Sequence, residues 1–532
     1  MTIVVGGGAS GASTAARLRR LSEKEEIIIL EATQEISIAN CGLPYYTSDY
    51  ISDRASMIVA SPKLFRELLN IDVRLGSKVT SINRDAKTVK VNDDYELNYD
   101  NLVLALGAIP IIPPIKGIDN EKVFTVRTLE DADKIKAYLA NNNVKNAVVI
   151  GGGFIGVEMA ENFVKLGLNT TIVELLPQVL APVDKEIAKF AENELRANGC
   201  NLILNDGVSE FSDSEILLNS GQRVPFDIVI MSIGVKPRTS LAKEAGLELG
   251  INESIKVNEF MQTSDPNIYA AGDSVEVIDF VTEAPALIPL AGPANRQGRI
   301  IADNIVGGKS TYKKSQGTAI VKVFNKTIAG VGKNEKQLLK LGISFQKNII
   351  WVNASAGYYP NATPIVLKLL YTDSGKILGA QAAGSVGVDK RIDVIATIMR
   401  LNGTINDLID SELCYAPPYS GAKDPVNISG MLAENVLKGY VKLAFHEDIE
   451  GAYLIDVRPT GLFNTKTIPG AVNIPATELR KRLQEVPKDK KVILFCMRGY
   501  TSYVASRILM GNGFDNVYSL VGGMFFYNEM VK

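Results

Sequence analysis

TIVVGGGASGASTAARLRRL, residues 2–21, reads as a short apolar strand, a glycine-rich turn and a helix. The pattern returns at VKNAVVIGGGFIGVEMAENFVKLG, residues 144–167. In the first copy Gly6, Gly8 and Gly11 form G-x-G-x-x-G; in the second, Gly151, Gly153 and Gly156 do the same. The first glycine of each set permits the tight turn, the second lets a pyrophosphate approach the backbone, and the third packs helix on sheet. A second strand ending in an acid follows each loop: IIILEA places Glu31 there and TTIVELL places Glu174. A carboxylate at that point accepts hydrogen bonds from a ribose. Strands alternating with helices indicate parallel sheets covered on both faces, so the expected fold class is α/β with two Rossmann-like dinucleotide-binding domains.

Glu174 also bears on the choice of nicotinamide donor. Its charge would repel the 2′-phosphate of NADPH and accept from the free hydroxyls of NADH, so NADH is the expected donor and NADPH the less favoured one.

The rest of the chain is organised around these units. At 532 residues and 46% apolar composition, three or four domains are expected. Between 318 and 435 the texture becomes α+β, with strand-like GTAIVKVF, TPIVLKLLY and KILGAQAAG followed by an apolar helix at DKRIDVIATIMRLNG. From about 440 another α/β pattern begins, in AYLIDVR, GAVNIP, KVILFC and NVYSLVGG.

A formal net charge of −2 argues against nucleic acid or an anionic membrane as the main partner. No apolar run approaches the roughly 18 residues of a membrane span, and no signal region precedes the first strand, so a cytoplasmic location is expected. Four cysteines (Cys41, Cys200, Cys414 and Cys496), none in a C-x-x-C pair, are too scattered for a disulfide scaffold or a zinc site, and no metal is expected. The one histidine, His446, leaves no imidazole base in the first 445 residues.

Further stretches carry a family resemblance. LALGAIP (104–110) and TSDPNIYAAGD (263–273) look like the linking and second flavin motifs of the FAD- and pyridine-nucleotide-dependent disulfide reductases. Gly107 and Gly272 belong to them, and Asp273 matches the residue that binds the flavin ribityl chain. The resemblance spans residues 1–435 and implies an FAD-binding domain of residues 1–115 plus 253–317, an NAD(P)H-binding domain of 116–252 and a dimerisation domain of 318–435.

Cys41 lies in SIANCGLPYY. A thiol at a helix start beside a flavin ring is expected to have a depressed pKa, whereas a free cysteine elsewhere is more often a small buried hydrophobe. S-x-x-N-C-G, here Ser37, Asn40 and Cys41, resembles the active-site segment of coenzyme A disulfide reductases and the related NADH-dependent persulfide reductases. That resemblance implies a second sulfur borrowed from the substrate, as a Cys41–S–S–CoA intermediate or a persulfide. The substrates implied are CoA disulfide, CoA persulfide or polysulfide, without a choice among them.

It also implies that two tyrosines contributed across a homodimer act as acid and thiolate stabiliser, at positions matching Tyr358 in GYYPNATP and Tyr415 in CYAPPYSGAKDP. Ser13, Arg17 and Arg20 share a face of the first helix, at i, i+4 and i+7, with Arg19 off it. Such a cluster is either a solvated basic face or a phosphate clamp. In the resembled family these three, with Ser37, Asn40, Asn295 and Lys423, contact coenzyme A. An NADH oxidase or peroxidase using a Cys41 sulfenic acid is the alternative; its relatives carry a histidine where this chain has Ser10.

Residues 441–532 resemble a single rhodanese domain. Cys496 opens CMRGYTS after the strand KVILF, where a cradle of backbone N–H groups would hold a persulfide. Asp456 and Arg458 are expected to fix the loop rather than to do chemistry. Tethering raises the effective concentration of one sulfur site at the other, so sulfur traffic between Cys496 and Cys41 is the working hypothesis.

Overall fold

The structure is a computed structural model describing residues 1–532. The chain divides into two compact units, residues 1–179 with 199–317 and residues 180–198 with 318–532.

The first unit holds two five-stranded parallel sheets. In one, Thr2–Val5 is central, flanked by Ile27–Leu30 and Asn101–Leu104, with Asp72–Arg74 and Ile268–Ala270 at the edges. In the other, Asn146–Ile150 lies between Asn169–Glu174 and Ile228–Met231, with Asn201–Leu204 and Val123–Phe124 at the edges. Both central strands are almost wholly apolar and buried, as a strand covered on two faces must be. Each runs straight into its glycine loop, which therefore opens at the carboxyl ends of the strands, where ligands of open parallel sheets bind.

Residues 253–317 return to the first sheet through Ile268–Ala270 and through the helix Ala291–Ile305, which packs on Ala9–Leu21. The approach is close: a Cβ on Gly298 would stand 2.5 Å from the Ser10 carbonyl oxygen. Two three-stranded antiparallel sheets, within residues 79–98 and 208–225, accompany the parallel ones.

The second unit is built on a five-stranded antiparallel sheet in the order Ala319–Val323, Lys326–Gly332, Ile377–Gly384, Pro364–Tyr371, Gln346–Asn353. Lys326–Gly332 and Gln346–Asn353 are strands beyond the three expected from sequence. Helix Lys185–Ala197, from inside the 116–252 stretch, belongs to this unit. It buries Ile187, Ala188, Phe190, Ala191 and Leu195 and packs on three strands of that sheet, Ala319–Val323, Lys326–Gly332 and Ile377–Gly384. The fully buried Lys368 adds an ionic tie, reaching Asp184 at 3.0 Å, Glu186 at 3.1 Å and Glu335.

The C-terminal part has a parallel sheet ordered Leu443–Ala444, Val517–Leu520, Val492–Phe495, Tyr453–Asp456, Val472–Asn473. Its last helix, Gly523–Met530, meets the antiparallel sheet through aromatic side chains: Phe525 of that helix lies 5.8 Å from Trp351, ring centre to ring centre, and Trp351 lies 5.6 Å from Phe190 of helix Lys185–Ala197. No helix is long and apolar enough to cross a membrane.

Candidate active sites

The two glycine loops are built alike. Gly6 (φ 99°) and Gly151 (φ 104°) hold a backbone conformation that favours glycine, and a Cβ there would strike the Ala105 and Ser232 carbonyl oxygens at 2.4 and 2.6 Å. Around Gly8 and Gly153, by contrast, a Cβ would meet nothing within 4 Å, and these residues are the N-caps of the helices that follow. Open space at a helix N-terminus, with exposed N–H groups and the positive end of the dipole, fits a pyrophosphate in both loops.

The acids double as loop fasteners. Glu31 accepts from the Gly7 N–H at 2.7 Å and from the Thr33 N–H and hydroxyl at 2.9 Å. Glu174 accepts from the Gly152 N–H at 2.6 Å and the Leu176 N–H at 2.8 Å. A carboxylate offers about four lone-pair sites, so both retain capacity for a ribose hydroxyl.

Cys41 sits in a tight turn, Asn40–Gly42, before the short helix Leu43–Thr47. The segment is fastened to the first loop, since the Ser37 N–H donates to the Gly7 carbonyl at 2.9 Å and Ser37 takes a left-handed φ of 53°. It is fastened to the second nucleotide-binding helix, Phe154–Lys165, as well: Ser48 donates to Asn162 at 2.6 Å and Tyr45 to Glu158 at 3.4 Å. The sequence therefore delivers one exposed thiol to the place where both nucleotide folds meet.

The electrostatics differ from the sequence expectation. Burial pushes the Cys41 thiol up, Glu158 and Asp273 push it further, and Arg127 alone pulls it back. Burial also raises Glu158, to about 7, against the stabilising Tyr45 hydrogen bond. Asp273 is raised by burial too, opposed by Arg127 at 3.5 Å. Arg127 stands against Gly107 and donates to the Ala108 carbonyl at 3.1 Å, so it bridges the two flavin-like motifs; Gly272 donates its N–H to Gln297 at 2.7 Å. Ser10 is buried beside Gly272.

Neither Glu158 nor Arg127 was picked out from sequence. Glu158 reads as a charge in an amphipathic helix and Arg127 as a loop cation. The one local signal is that two acids, Glu158 and Glu161, stand in a helix that is mostly apolar.

On the first helix, Ser13 donates to Asn295 at 2.5 Å, which joins two of the expected coenzyme A contacts. Arg17 is engaged through Nε by Asp303 at 2.9 Å rather than left as a bare cation, while Arg20 and Asn40 are exposed. Arg19 is buried, its guanidinium donating to five backbone carbonyls. It is a structural residue.

In the second unit, Tyr358 and Tyr415 bring their phenol oxygens to 3.2 Å, although both side chains are exposed. The hydrogen bond with Tyr415 raises the Tyr358 phenol. The Ala356 N–H, donating to the Pro417 carbonyl at 3.1 Å, joins the two stretches that carry them. Lys423 is exposed in the loop after Tyr415.

Cys496 is buried at the foot of a loop whose Gly499 N–H points at the sulfur, 3.1 Å away. Gly499 (φ 111°) makes that aim possible and caps the helix Tyr500–Gly511. The sulfur also lies 3.7 Å from the Ser502 hydroxyl, which is itself bonded to Ser519 at 2.9 Å. Asp456 and Arg458 form a buried pair, and Arg458 reaches Met497 Sδ at 3.3 Å and the Lys466 carbonyl at 2.6 Å, bracing the loop. Arg498 leaves the loop to donate to Asn353 at 2.9 Å.

Three family models match successive parts of the chain. Residues 1–292 match the pyridine nucleotide-disulphide oxidoreductase model, residues 318–425 the dimerisation domain of that family, and residues 441–529 the rhodanese-like domain. An NADH oxidase of Methanocaldococcus jannaschii is 35% identical over 82% of this chain and 98% of its own length. A coenzyme A disulfide reductase of Staphylococcus haemolyticus is 34% identical over 82% of this chain and 99% of its own. Among solved structures, the reduced CoADR-RHD of Bacillus anthracis is 47% identical, with a TM-score of 0.97 over 100% of this chain and 98% of its own. An NAD-dependent persulfide reductase from A. fulgidus is 38% identical, with a TM-score of 0.95 over 99% of both chains.

Proposed function

The chain belongs to the pyridine nucleotide-disulphide oxidoreductase family, and from that membership we propose that it is an FAD-dependent, NADH-preferring reductase of coenzyme A disulfide and persulfides, fused to a rhodanese domain that handles sulfane sulfur. The observation that carries the reading is Cys41, a single thiol fastened to both nucleotide-binding folds, in a chain whose four cysteines form no disulfide. A lone thiol cannot store two electrons as an internal disulfide, so its sulfur partner comes from the substrate.

Gly6, Gly8 and Gly11 with Glu31, Gly107, Gly272 and Asp273 would hold FAD; Gly151, Gly153, Gly156 and Glu174 would hold the nicotinamide donor. When bound, these cofactors supply the two electrons and the hydride chemistry. The chain's own residues govern the sulfur and the protons. Cys41 thiolate attacks CoA disulfide, forming Cys41–S–S–CoA and releasing one CoA thiolate, and two electrons then cleave the mixed disulfide. The balance is NADH + H⁺ + CoAS–SCoA → NAD⁺ + 2 CoASH. For CoA persulfide, NADH + H⁺ + CoAS–SH gives NAD⁺, CoASH and H₂S.

Tyr358 and Tyr415, acting across a homodimer, protonate the departing thiolate. Ser13, Arg17, Arg20, Ser37, Asn40, Asn295 and Lys423 would contact the coenzyme A. The raised Tyr358 phenol suits donation, since it holds its proton until a thiolate of similar basicity needs one.

Anaerobic NADH oxidation with CoA disulfide, CoA persulfide and inorganic polysulfide, side by side, tests the reading. Thiol or sulfide is expected in step with NADH. NADH consumption that needs peroxide or oxygen and no thiol substrate would replace it with the oxidase reading that the Methanocaldococcus relative keeps open. Steady-state kinetics with both donors tests Glu174, and a preference for NADPH would overturn that assignment.

A further inference from the structure

Arg391 heads the large side chains that are fully buried in this molecule, yet it touches none of the expected reacting groups. Its guanidinium grips both oxygens of Asp424, Nε at 3.2 Å and Nη2 at 2.9 Å. Nη2 also donates to the Ala354 carbonyl at 2.8 Å and, more weakly, to the Tyr419 carbonyl and the Ser420 hydroxyl at 3.4 Å; Nη1 donates to the Gly387 carbonyl at 3.1 Å. Asp424 is held from its other side by Ser420 at 2.7 Å and by the Val426 N–H at 3.0 Å, with Lys390 at 3.6 Å.

Apart from the Gly387 bond, which stays at the start of the helix that carries Arg391, these bonds end on stretches that carry a candidate site residue. Ala354 precedes Tyr358 by one turn of irregular chain, Tyr419 and Ser420 follow Tyr415, and Asp424 follows Lys423. The phenols themselves lie in the open, 77% and 50% exposed, with their mutual hydrogen bond at their tips. Two exposed side chains on non-helical, non-strand segments hold a 3.2 Å separation only if the backbones beneath them are fixed relative to one another. The buried fork supplies that fixation beneath both.

We propose that Arg391, oriented by Asp424, is the positioning residue of the tyrosine pair, setting the backbone of both tyrosine stretches so that Tyr358 and Tyr415 act as one acid. The proposal rests on the reading of the tyrosines above. A guanidinium is required because it is planar and can serve a carboxylate bidentately while donating to a carbonyl; an ammonium of the same charge cannot do both.

The test uses the FAD-loaded enzyme and four variants: Arg391→Lys, Asp424→Asn, Tyr358→Phe/Tyr415→Phe, and the combination of the tyrosine pair with Arg391→Lys. With CoA disulfide, Arg391→Lys is expected to lower kcat about ten- to a hundredfold and to alter its alkaline pH profile. Flavin reduction by NADH in a stopped-flow instrument should stay within about twofold of the parent, because that half-reaction does not use the tyrosines. In the double-phenylalanine background Arg391→Lys should add less than about a twofold loss.

An unchanged kcat and pH profile in Arg391→Lys, or the same loss with and without the tyrosines, overturns the proposal, as does an equal loss in flavin reduction. Should Arg391→Lys not fold, Asp424→Asn carries the same expectations and the same grounds for rejection. If the tyrosine variants alone lose nothing, the tyrosine reading falls first, an outcome distinct from failure of the arginine alone.

Discussion

Cys41 and Cys496 share one chain and are treated in opposite ways by it. Around Cys41, burial pushes the thiol up, and its titratable neighbours are mostly acids, Glu158 and Asp273, which push it the same way. Around Cys496 the backbone has been turned so that a glycine N–H faces the sulfur at 3.1 Å. The second site turns a backbone donor onto its sulfur. The first is a thiol on a segment fastened to the first glycine loop and to helix Phe154–Lys165, close to groups that can take or give a proton. Reactivity at a thiol is therefore set by its neighbours, and the same residue type serves two chemistries in one chain.

The contrast can be broken most drastically by removing each sulfur. Cys41→Ser should cut NADH-driven reduction of CoA disulfide by at least about a thousandfold while FAD stays bound and reducible. Retained turnover would sink the role given to Cys41. Cys496→Ser should abolish sulfane-sulfur transfer but leave CoA disulfide reduction within about twofold of the parent. If both substrates suffer alike, the two thiols are not separate sites.

A finer probe is Glu158→Gln. Above pH 7, where Glu158 is ionised, removing its charge should ease deprotonation of Cys41 and raise its alkylation rate by roughly two- to threefold; below pH 6 the rates should converge. A shift at acid pH alone would contradict the placement of that charge.

The smallest effect concerns stability. Glu158 titrates near 7 in the fold against an ordinary value of 4.5, so the folded state binds its proton more tightly than the unfolded state does. Its contribution to stability is greatest below 4.5, falls as pH rises through the window from 4.5 to 7, and is level above it. Glu158→Gln should therefore raise Tm relative to the parent by about 1–3 °C more at pH 8 than at pH 5. A constant difference across pH would mean that Glu158 is ordinary.

Much of the site was legible in the sequence because it is local. A glycine loop between an apolar strand and a helix, with an acid closing the next strand, fixes Gly6 to Glu31 and Gly151 to Glu174 within some 25 residues each. The Cys496 loop is legible for the same reason. What could not be read depends on long-range packing. Glu158 meets Tyr45 across 113 residues, and its charge reads as a solvated face until the fold buries it.

Arg391 stands in DKRID, a run that looks like an ordinary charged helix start, and only its meeting with Asp424 shows otherwise. The antiparallel strands within 79–98 and 208–225 alternate weakly and are short, so their pairing carries more information than their composition. The association of Lys185–Ala197 with the antiparallel sheet is likewise a tertiary fact, visible through its buried face and the Lys368 cluster.

The aromatic contact between the antiparallel sheet and the last helix of the second unit has an optical consequence. Trp351 is the single tryptophan of the chain, 7% exposed and set between Phe190 and Phe525. Its emission reports on one junction and no other. If the C-terminal sheet comes away from its neighbour, this indole alone meets water and its fluorescence moves to the red, so the seating of the sulfur-carrying domain can be followed in solution without adding a label.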